Sequence, residues 1–495
     1  MSIDRKKVIL IFLSIFLAEL ISLSGYLLPQ FRQIAFLAIA LLAMVLAYKD
    51  LKYGIWFLLV ELFIGSKGYL FYFEQGGLII SIRIAFWLIV MSVWLGAVIG
   101  RLLKTKKLDF GYLKVSFKYF IILFLFIGWG LINGFLNKNE FGNIFFDFNG
   151  WLYLLLLFPL ADYIYNNKTA VQAIGNLFLA SVVWLIFKTF FLLFVFSHNL
   201  IGMVYELYRW TRESGVGEIT LIEGGFYRIF FQSQIFILIA VFILLFYLSS
   251  RPLDKKFLKS KEFGTIFALL VLLNGLILIT FSRSFWLGTA AGLLAYGLID
   301  LFINKIKWRK FFLVNSIFFI ALFLSAVVII IVVKFPYPAP TGGFSTASLF
   351  ADRATNLNEA AVSSRWQLLP ELSAAIKKAP ILGQGFGTTV TYNTNDLRIL
   401  ESSADGRYTT YAFEWGWLDI WLKLGLFGLL VYLGLVARVV YSSFLPAKSW
   451  LAQSIGAGLI VIVVVSIFSP YLNHPLGIGF LLLAAAISAL KPAPA

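Results

Sequence analysis

Four polar features that could carry chemistry stand out in a chain that is otherwise apolar. Arg228 lies three residues after a pair of glycines, Arg283 lies between two serines, Arg365 heads a predicted surface helix, and Glu414 precedes a long apolar run. Guanidinium groups bind the oxygens of phosphates in bidentate fashion, and a carboxylate can accept a proton from a hydroxyl. These residue types therefore indicate binding of a diphosphate beside a group that could act as a base.

We take these four residues as the candidate catalytic set, with the arginines on the diphosphate and Glu414 as the base or acceptor-positioning group. The candidate substrate-binding residues are the adjacent Ser282, Ser284 and Trp415, together with Gly383, Gly385 and Gly387 of a glycine-rich segment. Each feature also has a purely structural interpretation. An arginine at a helix end often extends to lipid headgroups, and a carboxylate at a helix start is favoured by the helix dipole.

Two further patterns are expected to be structural. The three alternating glycines resemble a nucleotide-binding loop only superficially, because no strand precedes them. We expect a turn there that lets the backbone approach a neighbour. Asp419 and Lys423 are one helical turn apart, and we expect them to neutralise each other inside the bundle.

The chain offers little for metal or thiol chemistry. It has no cysteine, which excludes disulfides, thiolate catalysis and cysteine-ligated metals. His198 and His474 lie in separate predicted loops, and no acidic cluster with metal-ligand spacing stands out beside them. We therefore expect no cofactor and no metal, with arginine charge in place of Mg²⁺, and His474 is the alternative base.

A membrane scaffold must position these residues. Hydrophobic residues make up 61% of the 495, and about 20 consecutive apolar residues cross a bilayer. The predicted fold class is an all-α polytopic membrane protein with about fourteen transmembrane helices, the first being an uncleaved span rather than a signal peptide. These helices are predicted to start near residues 8, 34, 54, 79, 116, 143, 169, 229, 264, 285, 311, 415, 450 and 473, and Asp147 and Gly150 interrupt the sixth.

The distribution of positive charge predicts the orientation of this scaffold. The net charge is +17, and the basic residues concentrate in alternate loops, such as those from Lys104 to Lys107, Lys255 to Lys261 and Lys305 to Lys310. Because cytoplasmic loops are enriched in Lys and Arg, both termini are predicted to be cytoplasmic and the four polar features to lie outside. We expect membrane lipids as partners, and no nucleic acid.

The longest predicted outer loop runs from about Phe335 to Ala412, and loops of that length are often functional. Apolar residues recur within it at helical spacing, which predicts an amphipathic helix over residues 364–378 at the outer surface. Ser363 or Ser364 would cap this helix and Pro380 would end it.

Four regions follow from this organisation. Residues 1–200 are N-terminal transmembrane helices, 201–334 are central transmembrane helices with the outer arginine motifs, 335–412 form the large periplasmic loop, and 413–495 are C-terminal transmembrane helices. An enzyme working outside the membrane has no nucleotide sugars, so its activated donor would be a sugar on a polyprenyl diphosphate. Arginines can stabilise the charge of that leaving group without a general acid.

The order and sidedness of the motifs resemble the O-antigen ligase and O-antigen polymerase superfamily of bacterial inner membranes, over roughly residues 224 to 435. The shared pattern is Ser-Arg-Ser before a span, Arg-x-x-x-Leu in a late periplasmic loop, Pro-x-x-Gly-x-Gly-x-Gly, and Gly-x-x-Gly in the next span. The matching residues here are Ser282-Arg283-Ser284, Arg365 with Leu369, Pro380 with Gly383, Gly385 and Gly387, and Gly425 with Gly428. Arg228 resembles the arginine that opens an earlier span of the family.

The resemblance implies a metal-independent, GT-C-like glycosyltransferase of the bacterial inner (cytoplasmic) membrane with its active site on the periplasmic face. Such an enzyme moves glycan from undecaprenyl diphosphate to the hydroxyl of a glycan or lipid acceptor. A chain-length regulator is a further candidate partner.

One departure from the family bears on the reaction. Its ligases carry a histidine about ten residues before the Gly-x-x-Gly, where this chain has Trp415 beside Glu414. We therefore favour polymerisation of surface polysaccharide repeat units, either O-antigen or exopolysaccharide. The first alternative is ligation of O-antigen to lipid A core in lipopolysaccharide synthesis. The second is a polysaccharide or lipid transporter or flippase, although many transporters show inverted repeats and we detect none here.

Overall fold

A computed structural model describes residues 4–76, 78–106, 117–200, 202–222, 225–340, 360–394, 405–445 and 448–490. These residues form a mostly helical bundle with three two-stranded β-hairpins. Some residues named in the sequence analysis lie outside the described ranges. They include Lys107 of a basic loop, Gly224 of the glycine pair before Arg228, and residues 341–359 and 395–404 of the large loop.

The helices follow one another through most of the chain. In the first part they are α1 (Arg5–Leu27), α2 (Pro29–Lys49), α3 (Leu51–Ile64), α4 (Ile82–Thr105), α5 (Phe117–Leu136), α6 (Phe141–Phe148), α7 (Leu157–Asn166), α8 (Ala170–Ser197) and α9 (Val204–Glu213). In the second part they are α10 (Ile235–Ser250), α11 (Lys255–Leu258), α12 (Lys261–Thr280), α13 (Arg283–Leu298), α14 (Trp308–Val333), α15 (Ala360–Lys378), α16 (Gly416–Ser443), α17 (Trp450–Val465) and α18 (Pro475–Ser488).

Within the described ranges, eleven helical segments are long and apolar enough to cross a membrane. Each of the fourteen predicted spans coincides with a helical segment. However, α3, α17 and α18 have only 14, 16 and 14 residues, which is short of the roughly 20 that a crossing needs. The helix positions are confirmed, while the count of fourteen crossings and the orientation stay predictions.

The sixth predicted span is irregular, as its polar residues indicated. It consists of α6, a 3-10 turn at Trp151–Leu156 and α7. Asp147 lies in the last turn of α6, and its carboxylate bonds to residues from a distant part of the chain. The interruption therefore marks a place where the span is held by side-chain contacts.

Three hairpins correct the all-α prediction. Strand β1 (Tyr72–Gln75) pairs with β2 (Leu78–Ser81), β3 (Gly217–Ile222) with β4 (Phe226–Phe231), and β5 (Val390–Asn393) with β6 (Arg407–Thr410), all antiparallel. The prediction that Arg228 opens a span was wrong, because it lies in β4 opposite Thr220 and the helix after it begins at Ile235. Aromatic and β-branched residues favour a pleated strand at this position.

The predicted amphipathic helix is confirmed as α15, with corrected ends. It begins at Ala360 rather than at a serine cap, since the alanines before Ser363 and Ser364 continue the helix. It ends at Lys378, before Pro380. Its buried stripe consists of Leu368, Leu372 and Ile376, and these pack with Trp415 and Phe413 at the start of α16.

The bundle is tightest around α10, whose residues are almost all buried. This helix packs against α12, α13 and α17, while α16 packs against α5. On α1 and α2, large apolar side chains such as Leu10 and Ile34 are exposed. An apolar exterior is expected where lipid, rather than water, surrounds a helix.

Candidate functional site

Arg228 is held at one end of the bundle by the β3–β4 hairpin. Its Nε donates a hydrogen bond of 2.7 Å to the carbonyl oxygen of Thr280, the last residue of α12. The guanidinium also lies 5.0 Å from the ring centroid of Phe230. Burial lowers the pKa of Arg228, and the negative charge of Glu218 opposes that shift. Both contacts fix the guanidinium beside the turn between α12 and α13.

That turn carries Ser282, Arg283 and Ser284. Phe281, just before it, has a left-handed backbone (φ 45°) that ends α12 and lets α13 begin at Arg283. The hydroxyls of the two serines lie 3.0 Å apart and are largely buried. Arg283 thus occupies the first turn of a helix, three residues after Thr280, whose carbonyl holds Arg228.

Arg365 reaches the same place from α15. Burial and the positive charges of Arg228 and Arg283 lower its pKa to about 10, which leaves it protonated at neutral pH, and Glu218 opposes the shift. Arg365 lies close enough to Arg228 and Arg283 for their charges to act on it, and Arg228 itself bonds to the carbonyl of Thr280, three residues before Arg283. The structure therefore brings together the arginines that sequence analysis selected from three separate segments.

Glu414 forms an ion pair with Arg365. Its side chain is 52% exposed, so the carboxylate is open to an incoming group. The next residue, Trp415, donates from its indole to the carbonyl oxygen of Arg365 at 3.0 Å and packs against Trp366 and Phe468. Trp415 thereby ties α15 to the start of α16, and a role for it in substrate binding stays a prediction.

Sequence analysis missed Glu218 and Thr280. Glu218 is exposed on β3, and its charge acts on both Arg228 and Arg365. Alternating polar and apolar residues in the segment before Arg228 could have indicated the hairpin. Thr280 acts through its backbone carbonyl, which leaves no side-chain signal in a sequence.

The three alternating glycines fill a break in α16. At Gly425 the backbone leaves the helical region (φ 74°, ψ 177°), and the segment from Pro380 to Gly387 supplies replacement hydrogen bonds. The amide of Gln384 donates to the carbonyl of Leu422 at 2.7 Å, and the amide of Leu426 donates to the carbonyl of Pro380 at 2.9 Å. We call residues 380–387 the glycine loop.

Close backbone approach explains these glycines, as predicted. A Cβ on Gly383 would lie 2.5 Å from the amide nitrogen of Gly425, one on Gly385 would lie 2.1 Å from that of Gly134, and one on Gly387 would lie 2.6 Å from that of Ile144. All three loop glycines have positive φ, which glycine adopts without steric cost. A direct role in substrate binding stays a prediction for them.

The pairing of Asp419 with Lys423 is confirmed, and the structure adds a third member. The ammonium of Lys423 lies 2.5 Å from an oxygen of Asp419 and 2.6 Å from one of Asp147, and it donates to the carbonyl of Tyr411 at 3.1 Å. Asn473 donates to the second oxygen of Asp419 at 2.5 Å. The lysine therefore joins distant segments in addition to neutralising its own helix.

The two histidines have different surroundings. Both ring nitrogens of His198 contact backbone carbonyls, those of Phe194 and Phe335, at 2.8 and 2.9 Å, so this residue joins α8 to the chain after α14. The side chain of His474 is exposed and precedes α18. Desolvation by the surrounding protein, together with the positive charges of Lys423, Lys67 and Arg83, lowers the pKa of His474 to about 4. Its imidazole is therefore neutral at physiological pH.

The arrangement suits an anionic ligand. The positive charges of Arg228 and Arg283 act unfavourably on that of Arg365, and a bound anion would relieve this repulsion. A diphosphate could accept paired hydrogen bonds from such guanidiniums, with Glu414 available at its edge. The rigid supports on four separate segments fix this geometry before a ligand arrives.

Membrane-length helices around such a site define the class as a multi-pass membrane protein. Residues 267–433 match the family described as O-antigen ligase, and this match supports the resemblance to the O-antigen ligase and polymerase superfamily. The prediction from the motifs is thereby confirmed, and the family's general activity is glycan transfer. Arg283, Arg365 and Glu414 lie inside the match, whereas Arg228 lies outside it. A comparison with curated proteins gives no significant match.

Proposed function

We propose that the protein transfers glycan from an undecaprenyl-diphosphate-linked donor to an acceptor hydroxyl at the periplasmic face of the bacterial inner membrane. The observation that carries this proposal is the convergence of Arg228, Arg283 and Arg365 at one site. Each comes from a different segment, and two of them lie in the matched family domain. A convergent trio of cations beside apolar helices fits a ligand with a charged diphosphate head and a lipid tail.

In the proposed reaction the acceptor oxygen forms a bond to the anomeric carbon while the bond from that carbon to the diphosphate oxygen breaks. The electron pair leaves with the diphosphate, and the arginines stabilise its charge. The acceptor proton passes to the carboxylate of Glu414. The ion pair with Arg365 directs this carboxylate toward the proposed diphosphate site. No metal has a part in this scheme, which makes the enzyme a metal-independent transferase of GT-C-like type.

We favour polymerisation of surface polysaccharide repeat units, because Trp415 and Glu414 stand where the ligases of this family carry histidine. The second candidate is ligation to a lipid A core or another acceptor, which the family description favours. The two differ in the acceptor alone. A polymerase extends a lipid-linked repeat unit with another one, whereas a ligase needs a separate acceptor lipid.

The test uses purified protein in lipid vesicles with lipid-linked repeat units of the host polysaccharide. A ladder of products from donor alone supports polymerisation, and product formed only with added core lipid supports ligation. Arg209→Ala is the matched control, since Arg209 pairs with Glu213 on α9 and is not among the charges that act on Arg365. If neither acceptor yields product while the protein is folded, the proposal is wrong.

A further inference from the structure

The break in α16 and the glycine loop form one joint. The carbonyls of Leu422 and Lys423 accept from the amides of Gln384 and Gly385, at 2.7 and 3.1 Å, in place of amides of their own helix. On its other side the loop bonds to α5, where the side chain of Asn133 donates to the carbonyl of Gly383 at 2.8 Å. The loop is therefore enclosed between two helices.

A buried ionic contact closes the far end of this joint. The Lys423 side chain is 2% exposed and bonds to one oxygen of Asp147. The other oxygen of Asp147 accepts from the amide of Gly387 at 2.9 Å. One carboxylate thus connects α16 to the last glycine of the loop, across 276 residues of sequence between lysine and aspartate. We call Lys423 and Asp147 the clamp.

The arginine site is divided between two supports. Arg365 is on α15, which runs directly into the glycine loop, and Glu414 precedes α16, which the loop enters. Arg228 and Arg283 are attached instead to β4 and to the turn between α12 and α13. The clamp holds together the support of Arg365 and Glu414, because its contacts join α16, the glycine loop and the carbonyl of Tyr411.

We propose that Lys423 and Asp147 are positioning residues, which hold the glycine loop in the break of α16 and so set the place of Arg365 and Glu414 relative to Arg228 and Arg283. The inference rests on the proposed function for its effect on turnover. The expected effect on the glycine loop itself does not depend on the proposed function. Displacement of a reacting group by about 1 Å can cost roughly 100-fold in rate, so a buried joint beside the site is a place where catalysis can be lost without loss of a catalytic group.

An ionic clamp is costly in a membrane bundle, and this cost argues for a specific role. Buried ion pairs are often no more stabilising than apolar side chains of similar volume. Here each member has additional partners: Tyr411 and Asp419 for the lysine, and Gly387 for Asp147. Such a network fixes the orientation of the Asp147 carboxylate as well as its position, because each of its two oxygens bonds to a different segment.

The test is Asp147→Asn, which keeps an oxygen for the amide of Gly387 and leaves Lys423 paired with Asp419. We expect kcat to fall by about 10- to 100-fold with KM for the donor changed less than about threefold. Asp147→Glu, which restores the charge, should recover part of the loss. The control is Glu19→Gln, which weakens a similarly buried ion pair with Lys188 that joins α1 to α8.

A second measurement follows the loop without any assay of activity. The chain has no cysteine, so Thr388→Cys places a single, buried thiol at the end of the loop. We expect this thiol to react at least tenfold faster with a maleimide in the Asp147→Asn background, while Ser442→Cys, buried near the other end of α16, keeps its slow rate. Equal labelling of Thr388→Cys in both backgrounds, or an equal loss of kcat in Glu19→Gln, would overturn the clamp. A chain inactive in every form but with faster loop labelling would refute the proposed reaction and leave the clamp supported.

Discussion

Replacement of Arg365 by lysine is the most direct test of the arginine site. The change keeps the positive charge but removes the planar fork of donors. In the structure Arg365 is the arginine that meets both halves of the site, since it pairs with Glu414 and is affected by the charges of Arg228 and Arg283. A lysine at this position can still attract an anion, but it cannot bond two oxygens in a fixed plane.

The size of the effect follows from the hydrogen bonds lost. A hydrogen bond to a charged group contributes about 1.5–3 kcal/mol, and every 1.4 kcal/mol corresponds to a factor of about ten. Loss of one bond of a bidentate pair in the transition state therefore predicts a fall in kcat/KM of roughly 10- to 150-fold. Because the side chain is 32% exposed, solvent weakens the bond and the lower half of this range applies. For Arg365→Ala, which removes the charge as well, we expect roughly 10²- to 10³-fold, which abolishes transfer in a gel assay.

The assay is glycan transfer by purified protein in vesicles, with thermal stability and membrane insertion measured in parallel. Arg283→Ala should match Arg365→Ala, and Arg209→Ala should keep wild-type activity. Binding of a lipid diphosphate without its sugar should weaken in both Arg283→Ala and Arg365→Ala. Full activity of Arg365→Lys, with normal insertion, would mean that the residue is only a surface anchor, and the diphosphate would have to be bound elsewhere.

Four other predictions can be checked separately. Glu414→Gln keeps the size of the side chain but removes the base, so turnover should fall by roughly 100-fold or more while donor binding persists; wild-type turnover would move attention to His474. Transfer should survive EDTA, and a loss that Mg²⁺ or Mn²⁺ restores would refute charge neutralisation by arginine alone. Gly385→Ala should destabilise the protein by about 2–4 kcal/mol, through strain at positive φ and overlap with the backbone of α5, and an unchanged melting temperature would contradict the enclosed loop. Single cysteines at Lys138 and Arg209 should label from outside and one at Lys259 only from inside, and outside labelling at Lys259 would disprove the proposed orientation.

Most helices of the scaffold can be predicted from local features of the sequence. A run of about 20 apolar residues must form a helix in a bilayer, because no water is present to bond an open backbone. This requirement explains why each predicted span coincides with a helix and why the interruption at Asp147 was visible. Helical spacing of Leu368, Leu372 and Ile376 likewise predicted α15, and the arginines could be chosen because cations outside the membrane are depleted by the positive-inside rule.

The tertiary structure alone decided how these parts meet. The β3–β4 hairpin depends on pairing between two short segments, so the strand that carries Arg228 could not be separated from the start of a span by hydropathy. The partner of Lys423 was expected on its own helix at Asp419, yet a second carboxylate, Asp147, arrives from 276 residues away. The break at Gly425 is stable only because the glycine loop supplies the missing hydrogen bonds. Apolar spans are set by the contact of each segment with lipid, whereas the site is set by contacts between segments, and those depend on a three-dimensional packing that no local pattern records.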